Sequence, residues 1–217
     1  MSLVIFIVSS ALLILITIMQ HKKKDVTSEM KGLIGEKKIK KDFLTELNDE
    51  YFIYDNVTIR DAYEYTTQID HIIVCRYGLF VIETKNYSGW IYASESKQKW
   101  VQKFPKKSYE FQNPILQNYR HISVLKFILD SKSISSNIHS LVVFSEDCTF
   151  KTHLPHNVFQ GSEWINYIQS FDTGVFTENQ IQYIKDQISR SKLPLSQKTD
   201  SIHLRSIQKR LHNKNHA

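Results

Sequence analysis

Apolar and polar positions divide this chain into three stretches with different periodicities. The first is an unbroken apolar run, LVIFIVSSALLILITIM, seventeen residues from Leu3 to Met19 with no charge. A helix built from it is apolar all round, unlike the one-sided stripe of a surface helix. Its length is at the short end of what spans a bilayer. The cluster His21-Lys22-Lys23-Lys24 follows directly. By the positive-inside rule that order places the lysines and everything after them in the cytoplasm. A cleaved signal peptide fits poorly, because it carries its positive charge before the apolar core. The expectation is a single-pass transmembrane helix over residues 1–20 in the cell membrane, then a basic, polar juxtamembrane linker over 21–30. The alternative is a buried helix.

Residues 31–193 change period repeatedly. Ile39, Phe43 and Leu47 recur at four-residue spacing and predict a helix over 32–47. Gly32 and Gly35 near its start imply a bend or a close backbone approach. Residues 51–59 read as a strand or a strand pair kinked at Asp55-Asn56, and 60–67 as a polar loop. Strands over 69–75 and 79–86 form a hairpin around Arg76-Tyr77-Gly78. Short strands follow at 90–93 and 98–104, closed by a turn over 105–108. Asn113-Pro114 caps a helix to 129 whose inward stripe is Ile115, Tyr119, Ile122, Leu125 and Leu129. A strongly apolar strand spans 138–145, with a further strand at Val158-Phe159 and a short helix over 163–169. Thr177 and Gln180 match a capping box opening a helix to about 190. This succession predicts an α/β domain with a mixed β-sheet flanked by helices. Pro194 is read as its end. The tail, 194–217, sets Lys198, Arg205, Lys209, Arg210 and Lys214 against Asp200, with Leu204, Ile207 and Leu211 spaced along one side. A docked helix, a membrane-surface helix and disorder all fit that pattern.

Composition narrows the class. Hydrophobic residues at 41% with only 6 Gly and 4 Pro exclude fibrous and disordered chains. Two cysteines, Cys75 and Cys148, are too few for a disulfide scaffold or a zinc knuckle. The net charge of +6 and pI near 9.1 favour a polyanionic partner, either nucleic acid or the anionic inner leaflet.

Candidate chemistry concentrates in the hairpin, QIDHIIVCRYGLFVIETKNY, residues 68–87. Asp70 lies in one strand, and Glu83 and Lys85 share one face of the next, with Thr84 turned away. Two carboxylates that can share Mg²⁺ or Mn²⁺, beside an ammonium that orients water, suit phosphodiester hydrolysis. The Thr84 carbonyl is a further candidate ligand. Glu36 is a candidate outer or second-metal acid, and Gln117 a partner for water or phosphate. Gln102 is given the same role from another side, and His121 sits one turn beyond Gln117. His71 reads as a packing or hydrogen-bonding residue. Lys97, Lys99, Lys103, Lys106 and Lys107 are candidates for non-specific backbone contact with nucleic acid.

The acid, then Glu-x-Lys, resembles the core of the restriction-endonuclease-like, PD-(D/E)xK, nucleases. Gly32-x-x-Gly35-Glu36, Gln68-Ile69-Asp70-His71, the run from Gly78 through Glu83-Thr84-Lys85 to Gly89, Trp100-Val101-Gln102 and Phe111-Gln112-Asn113-Pro114-x-x-Gln117-Asn118 extend the likeness. Together, over residues 31–145, they resemble the nuclease-related domain, NERD, family. The resemblance implies a restriction-endonuclease-like core, a divalent metal and a role in DNA processing. It puts Asp70, Glu83 and Lys85 in the catalytic places, with Glu36 as the helix acid. No P-loop or CxxC pair accompanies the domain, so any partner enzyme is a protein acting in trans. The other reading is a non-catalytic module holding nucleic acid or a protein at the membrane.

Overall fold

A computed structural model describes Gly35, Lys37, Leu47 and residues 50–215, with backbone alone for Leu211, Lys214 and Asn215. The expected transmembrane segment, the linker, Glu36 and most of the first helix lie outside the described residues. Among those described, no helix is long and apolar enough to cross a membrane.

The site-bearing layer is a five-stranded sheet. Its strands are β1 (Phe52–Arg60), β2 (Thr66–Cys75), β3 (Gly78–Lys85), β7 (Ile138–Phe144) and β9 (Val158–Gln160), in that spatial order. The first three run antiparallel, while β7 lies parallel to β3 and β9 parallel to β7. The mixed sheet is therefore as expected. Strand β3 is central and buried through Glu83, which suits its apolar run.

A second, four-stranded sheet orders β6 (Lys107–Gln112), β5 (Lys99–Phe104), β4 (Gly89–Tyr92) and β8 (Cys148–Phe150). Two of its strands depart from the sequence reading. KSYEFQ pairs along β5, so the expected turn is only its first half and a hairpin follows. Five of the six β6 residues are exposed, so no apolar period marks the strand. Strand β8 is three residues long and rests on parallel pairing with β4.

Helices cover both faces of the large sheet. On one side lie α1 (Pro114–Leu129) and α4 (Glu178–Ser191), closing a core that includes Val57, Leu79, Val81, Leu125 and Ile184. On the other, α3 (Glu163–Gln169) sets Trp164 and Ile168 against Phe80, Ile82 and Leu141. Each such side chain contributes roughly 1.5–3 kcal/mol by leaving water. A third cluster, around Ile91, Trp100 and Phe144, joins the two sheets. A short α2 (Lys132–Ser135) follows α1. The tail is neither disordered nor free: α5 (Gln197–Asn215) docks on β2, with the Ser206 hydroxyl accepting from Thr66 N at 2.8 Å. Order thus continues well past Pro194.

Two local features place the site. Asn113 caps α1 by accepting from Ile115 N at 2.9 Å, and its amide donates to the carbonyls of Ser94, Glu95 and Lys97. The helix start is thereby tied to the loop before β5. The second feature is a phase change in the sheet. Thr67 and Ile69 point toward α1, and so do Ile72 and Val74, although period 2 puts these pairs on opposite faces. Val57 and Tyr54 show the same switch on β1, where Asn56 has a positive φ of 52°. Register is kept on both sides of the irregularity, from Asp55↔His71 to Val57↔Ile69. Both strands therefore change phase together, at Asp55-Asn56 and Asp70-His71. The kink expected at Asp55-Asn56 is this feature, and Asp70 sits at it.

Candidate functional site

Beyond the last paired residues of β2 and β3, His71↔Ile82, the next facing positions are Asp70 and Glu83. The ladder gives way there to a side chain: Thr84 N donates to Asp70 Oδ2 at 2.7 Å. This contact holds the Asp70 carboxylate against the Glu83–Thr84 peptide of β3.

Glu83 is buried, and both its oxygens are engaged. Lys85 Nζ donates to Oε1 at 2.6 Å, and His121 Nε2 lies 3.0 Å from Oε2. Lys85 also donates to Gln117 Oε1 at 3.2 Å. An ionised carboxylate only accepts, so Nε2 of His121 carries a proton. In the neutral imidazole this leaves Nδ1 to accept from the Thr67 hydroxyl, 2.7 Å away. Five residues from β2, β3 and α1 thus form one buried network. Gln117 and His121 reach it together because they stand one helical turn apart.

Burial alone would push the Glu83 carboxyl up, but the Lys85 charge and the His121 hydrogen bond outweigh it, and the group titrates below its ordinary 4.5. Burial alone would lower Lys85; the Glu83 charge outweighs it, with smaller help from Tyr87 and Asp70, and the ammonium is held above 10.5. The pair is therefore charged at neutral pH, and Asp70 lies within electrostatic reach of it.

Four residues singled out from sequence (Asp70, Glu83, Lys85 and Gln117) are brought together, and the Thr84 backbone joins them. Gln102 is not: its amide donates to Ser88 O at 2.8 Å and pins the turn before β4. Glu36 lies outside the described residues. Its neighbour Gly35 has helical backbone and passes so close to the end of β3 that a Cβ there would stand 2.8 Å from Asn86 Cβ. The close approach inferred from that glycine is real. Of the five lysines proposed for backbone contact, Lys99 lines the cleft above the network and pairs with Glu110 at 2.8 Å. Tyr119, expected in the buried stripe of α1, is 56% exposed. The inward positions are taken by Asn118 and His121 instead. Asn118 donates to Val81 O at 2.8 Å and Leu141 O at 3.0 Å, bridging two parallel strands.

Sequence reasoning gave His121 only a minor place and did not single out Thr67, Arg120 or the role of α5. The Gln117/His121 spacing was the available signal. The cleft, about 610 Å³, is walled by α1, the β5–β6 hairpin and α5, and Gln117 and His121 form part of its lining. Arg120 and Arg210 give it a basic wall.

Among the described residues, no group of three or more His, Cys, Asp or Glu side chains is arranged to hold a metal ion. The donors that are present, two carboxylates and a main-chain carbonyl, are hard oxygens of the kind Mg²⁺ takes alongside several waters.

The family profile described as the nuclease-related domain, NERD, matches residues 31–145, more than half of the 217-residue chain. An uncharacterized protein of Bacillus anthracis is 34% identical over 206 residues, spanning 93% of this chain and 92% of its own. Among solved structures, SfsA of Pyrococcus furiosus in complex with Ca²⁺ aligns at 16% identity and a TM-score of 0.27. That alignment covers 75% of this chain and 53% of SfsA, so the chain spans about half the SfsA length.

Proposed function

We infer the function from the family to which this chain belongs, the nuclease-related domain family: a divalent-metal-dependent phosphodiester hydrolase acting on nucleic acid, DNA first among substrates. The observation that carries the reading is the meeting of Glu83 and Lys85, from a central strand, with Gln117, from a helix that lines a cleft with a basic wall. In a PD-(D/E)xK reading, Asp70, Glu83 and the Thr84 carbonyl would hold Mg²⁺ or Mn²⁺, with Glu36 as a further acid. The ion would supply charge neutralisation and a more acidic bound water.

The chain's own residues do the rest. Lys85, fixed by Glu83, presents an ammonium where negative charge develops on a phosphate, and Gln117 orients it and the attacking water. His121, held by Thr67, sets the rotamer of Glu83. Each Glu83 oxygen accepts one hydrogen bond and keeps a second lone-pair site through which it would hold the ion.

The test is cleavage of labelled DNA by full-length protein with Mg²⁺ or Mn²⁺. Asp70→Ala should lose activity entirely, and Lys85→Gln should lose about 10²–10³-fold. Undiminished metal-dependent cleavage by Asp70→Ala would end the catalytic reading.

A second reading has its own support, since both Glu83 oxygens are already satisfied within the protein. In it, the domain is a non-catalytic module that holds nucleic acid or a protein partner at the membrane. Salt-sensitive DNA binding with no turnover under any divalent cation would favour it.

In both readings residues 3–19 anchor the chain in the cell membrane with the domain on the cytoplasmic side. Deleting residues 1–20 should move the protein from the carbonate-washed membrane pellet to the supernatant; an unchanged distribution would remove the anchor.

A further inference from the structure

Beside the cleft runs a second groove of about 400 Å³, between the loop after β1, the outer face of α1 and α5. The two hollows share three lining residues, Thr67, Arg120 and Arg210, so they form one continuous surface. Its walls combine charge with exposed rings. Tyr63 is 81% exposed and Phe127 56%, and Phe127 stands on the same α1 stripe as Arg120 and Val124. Rings this exposed beside a basic groove add nothing to a folded core.

The guanidiniums sit at the junction. Arg210, from α5, is held by Asp61 Oδ2 at 3.3 Å and by the Tyr65 ring at 5.1 Å. Arg120 is exposed and has no hydrogen-bond or ion-pair partner among the described residues. Its guanidinium is pushed down from its ordinary value, first by partial burial and then by the like charge of Arg210, with Glu83 acting the other way. Two cations crowded together are an arrangement that an anion between them relieves. The acids nearby do not fill that role, because Asp61 is taken by Arg210 and Glu110 by Lys99.

We propose that this surface is a track for single-stranded nucleic acid: Arg120 and Arg210 clamp its phosphates, Tyr63 and Phe127 stack on its bases, and the strand is led into the cleft at Gln117. Duplex DNA offers the same phosphates but keeps its base faces inside the stack, so it can use the arginines and not the rings. The proposal rests on the nucleic-acid reading above and narrows its substrate. It also gives α5 a task, since Arg210 lies outside the segment matched by the family.

The test is fluorescence anisotropy with full-length protein and a labelled mixed-sequence DNA oligonucleotide, single-stranded or annealed to its complement. EDTA separates binding from any metal-dependent cleavage. Native protein should bind the single strand more tightly. Arg120→Gln with Arg210→Gln should weaken binding at least tenfold and make the slope of log K against log salt shallower by about 1.4, roughly 0.7 per phosphate contact. Tyr63→Ala with Phe127→Ala should weaken single-strand binding on the order of tenfold with the slope unchanged, and leave duplex binding alone. Arg120→Gln by itself alters an exposed side chain, so a weakened, shallower response in that variant cannot come from misfolding. Equal affinity for both forms, or an unaltered slope in the arginine variants, would overturn the track. Cleavage is scored separately: binding through the groove without turnover sinks the catalytic reading and leaves the track standing, and turnover indifferent to all four substitutions does the reverse.

Discussion

The five-stranded sheet carries a carboxylate–imidazole pair on each face. Toward α1, Glu83 and His121 meet at 3.0 Å; on the face shared with Ile82, Asp55 and His71 meet at 2.9 Å. Both imidazoles are buried. Their surroundings differ. Every polar side-chain atom of the first pair is engaged: Lys85 takes the other oxygen of the acid, and Thr67 the other nitrogen of the ring. In the second pair the His71 Nδ1 contact leaves Nε2 buried with no hydrogen-bond partner among the described residues. Asp55 keeps 21% of its side chain exposed, whereas Glu83 keeps 2%. A buried network of charged groups is costly unless every member is satisfied, and this one is satisfied at positions that also line a cleft. The chemistry proposed above rests on the first pair, and the second is a packing contact at the phase change of the sheet.

Removing the acid from each pair should separate them most sharply. Glu83→Ala leaves the Lys85 ammonium without its partner, and breaking a buried ion pair in this way costs about 3–5 kcal/mol. Asp55→Ala costs about 1–2 kcal/mol, the scale of a hydrogen bond at a part-exposed site. Urea unfolding measures both, and equal losses would erase the distinction.

The same contrast appears in the pH dependence. Glu83 titrates below its ordinary 4.5 in the folded protein, so its stabilisation is fully present above that pH and is lost as the pH falls through the lower, folded value. Lys85 is raised, so its share is fully present below 10.5 and is lost as the pH rises through the higher, folded value. Native protein should lose stability at both ends. In Glu83→Gln the acid limb should flatten. An acid limb as steep in Glu83→Gln as in native protein would mean that other carboxylates govern it.

Much of this was legible from residue order. Strand acids one register step past a hairpin, a lysine two residues on and a Pro-capped helix bearing Gln117 follow from period and spacing, and so does the kink at Asp55-Asn56. What escaped reading shares one physical cause: it depends on partners distant in sequence. His121 and Asn118 look like surface residues of α1 until Glu83 and two strand carbonyls are seen to accept from them. Strand β6 has no inward face to give it a period. The tail of α5 is polar on most sides, and contacts to Thr66, Asp61 and Tyr65 help hold it. The four-residue step from Gln117 to His121 was one visible clue, and Gly35, read as a close backbone approach, was another.

A smaller effect probes the support of the first pair. Thr67→Val keeps the shape of the side chain but leaves His121 Nδ1 buried without its partner. A loss of about 1–3 kcal/mol is expected, together with a fall in any metal-dependent turnover. Because His121 positions Glu83 and does not touch substrate in this scheme, the fall should appear in kcat with KM little changed. A change confined to KM would place His121 against the substrate instead.

The smallest effect belongs to the second pair. His71→Phe removes an orphaned Nε2 and one hydrogen bond while keeping a ring of similar volume beside Ile82. The two changes oppose each other, since deleting an unsatisfied buried atom gains about what the Asp55 contact gave, and Asp55 can turn toward water. Stability should move by less than about 1 kcal/mol, and activity not at all. A destabilisation approaching that of Glu83→Ala would show that His71 is wired as tightly as His121. The assignment of chemistry to one face of the sheet would then lose its basis.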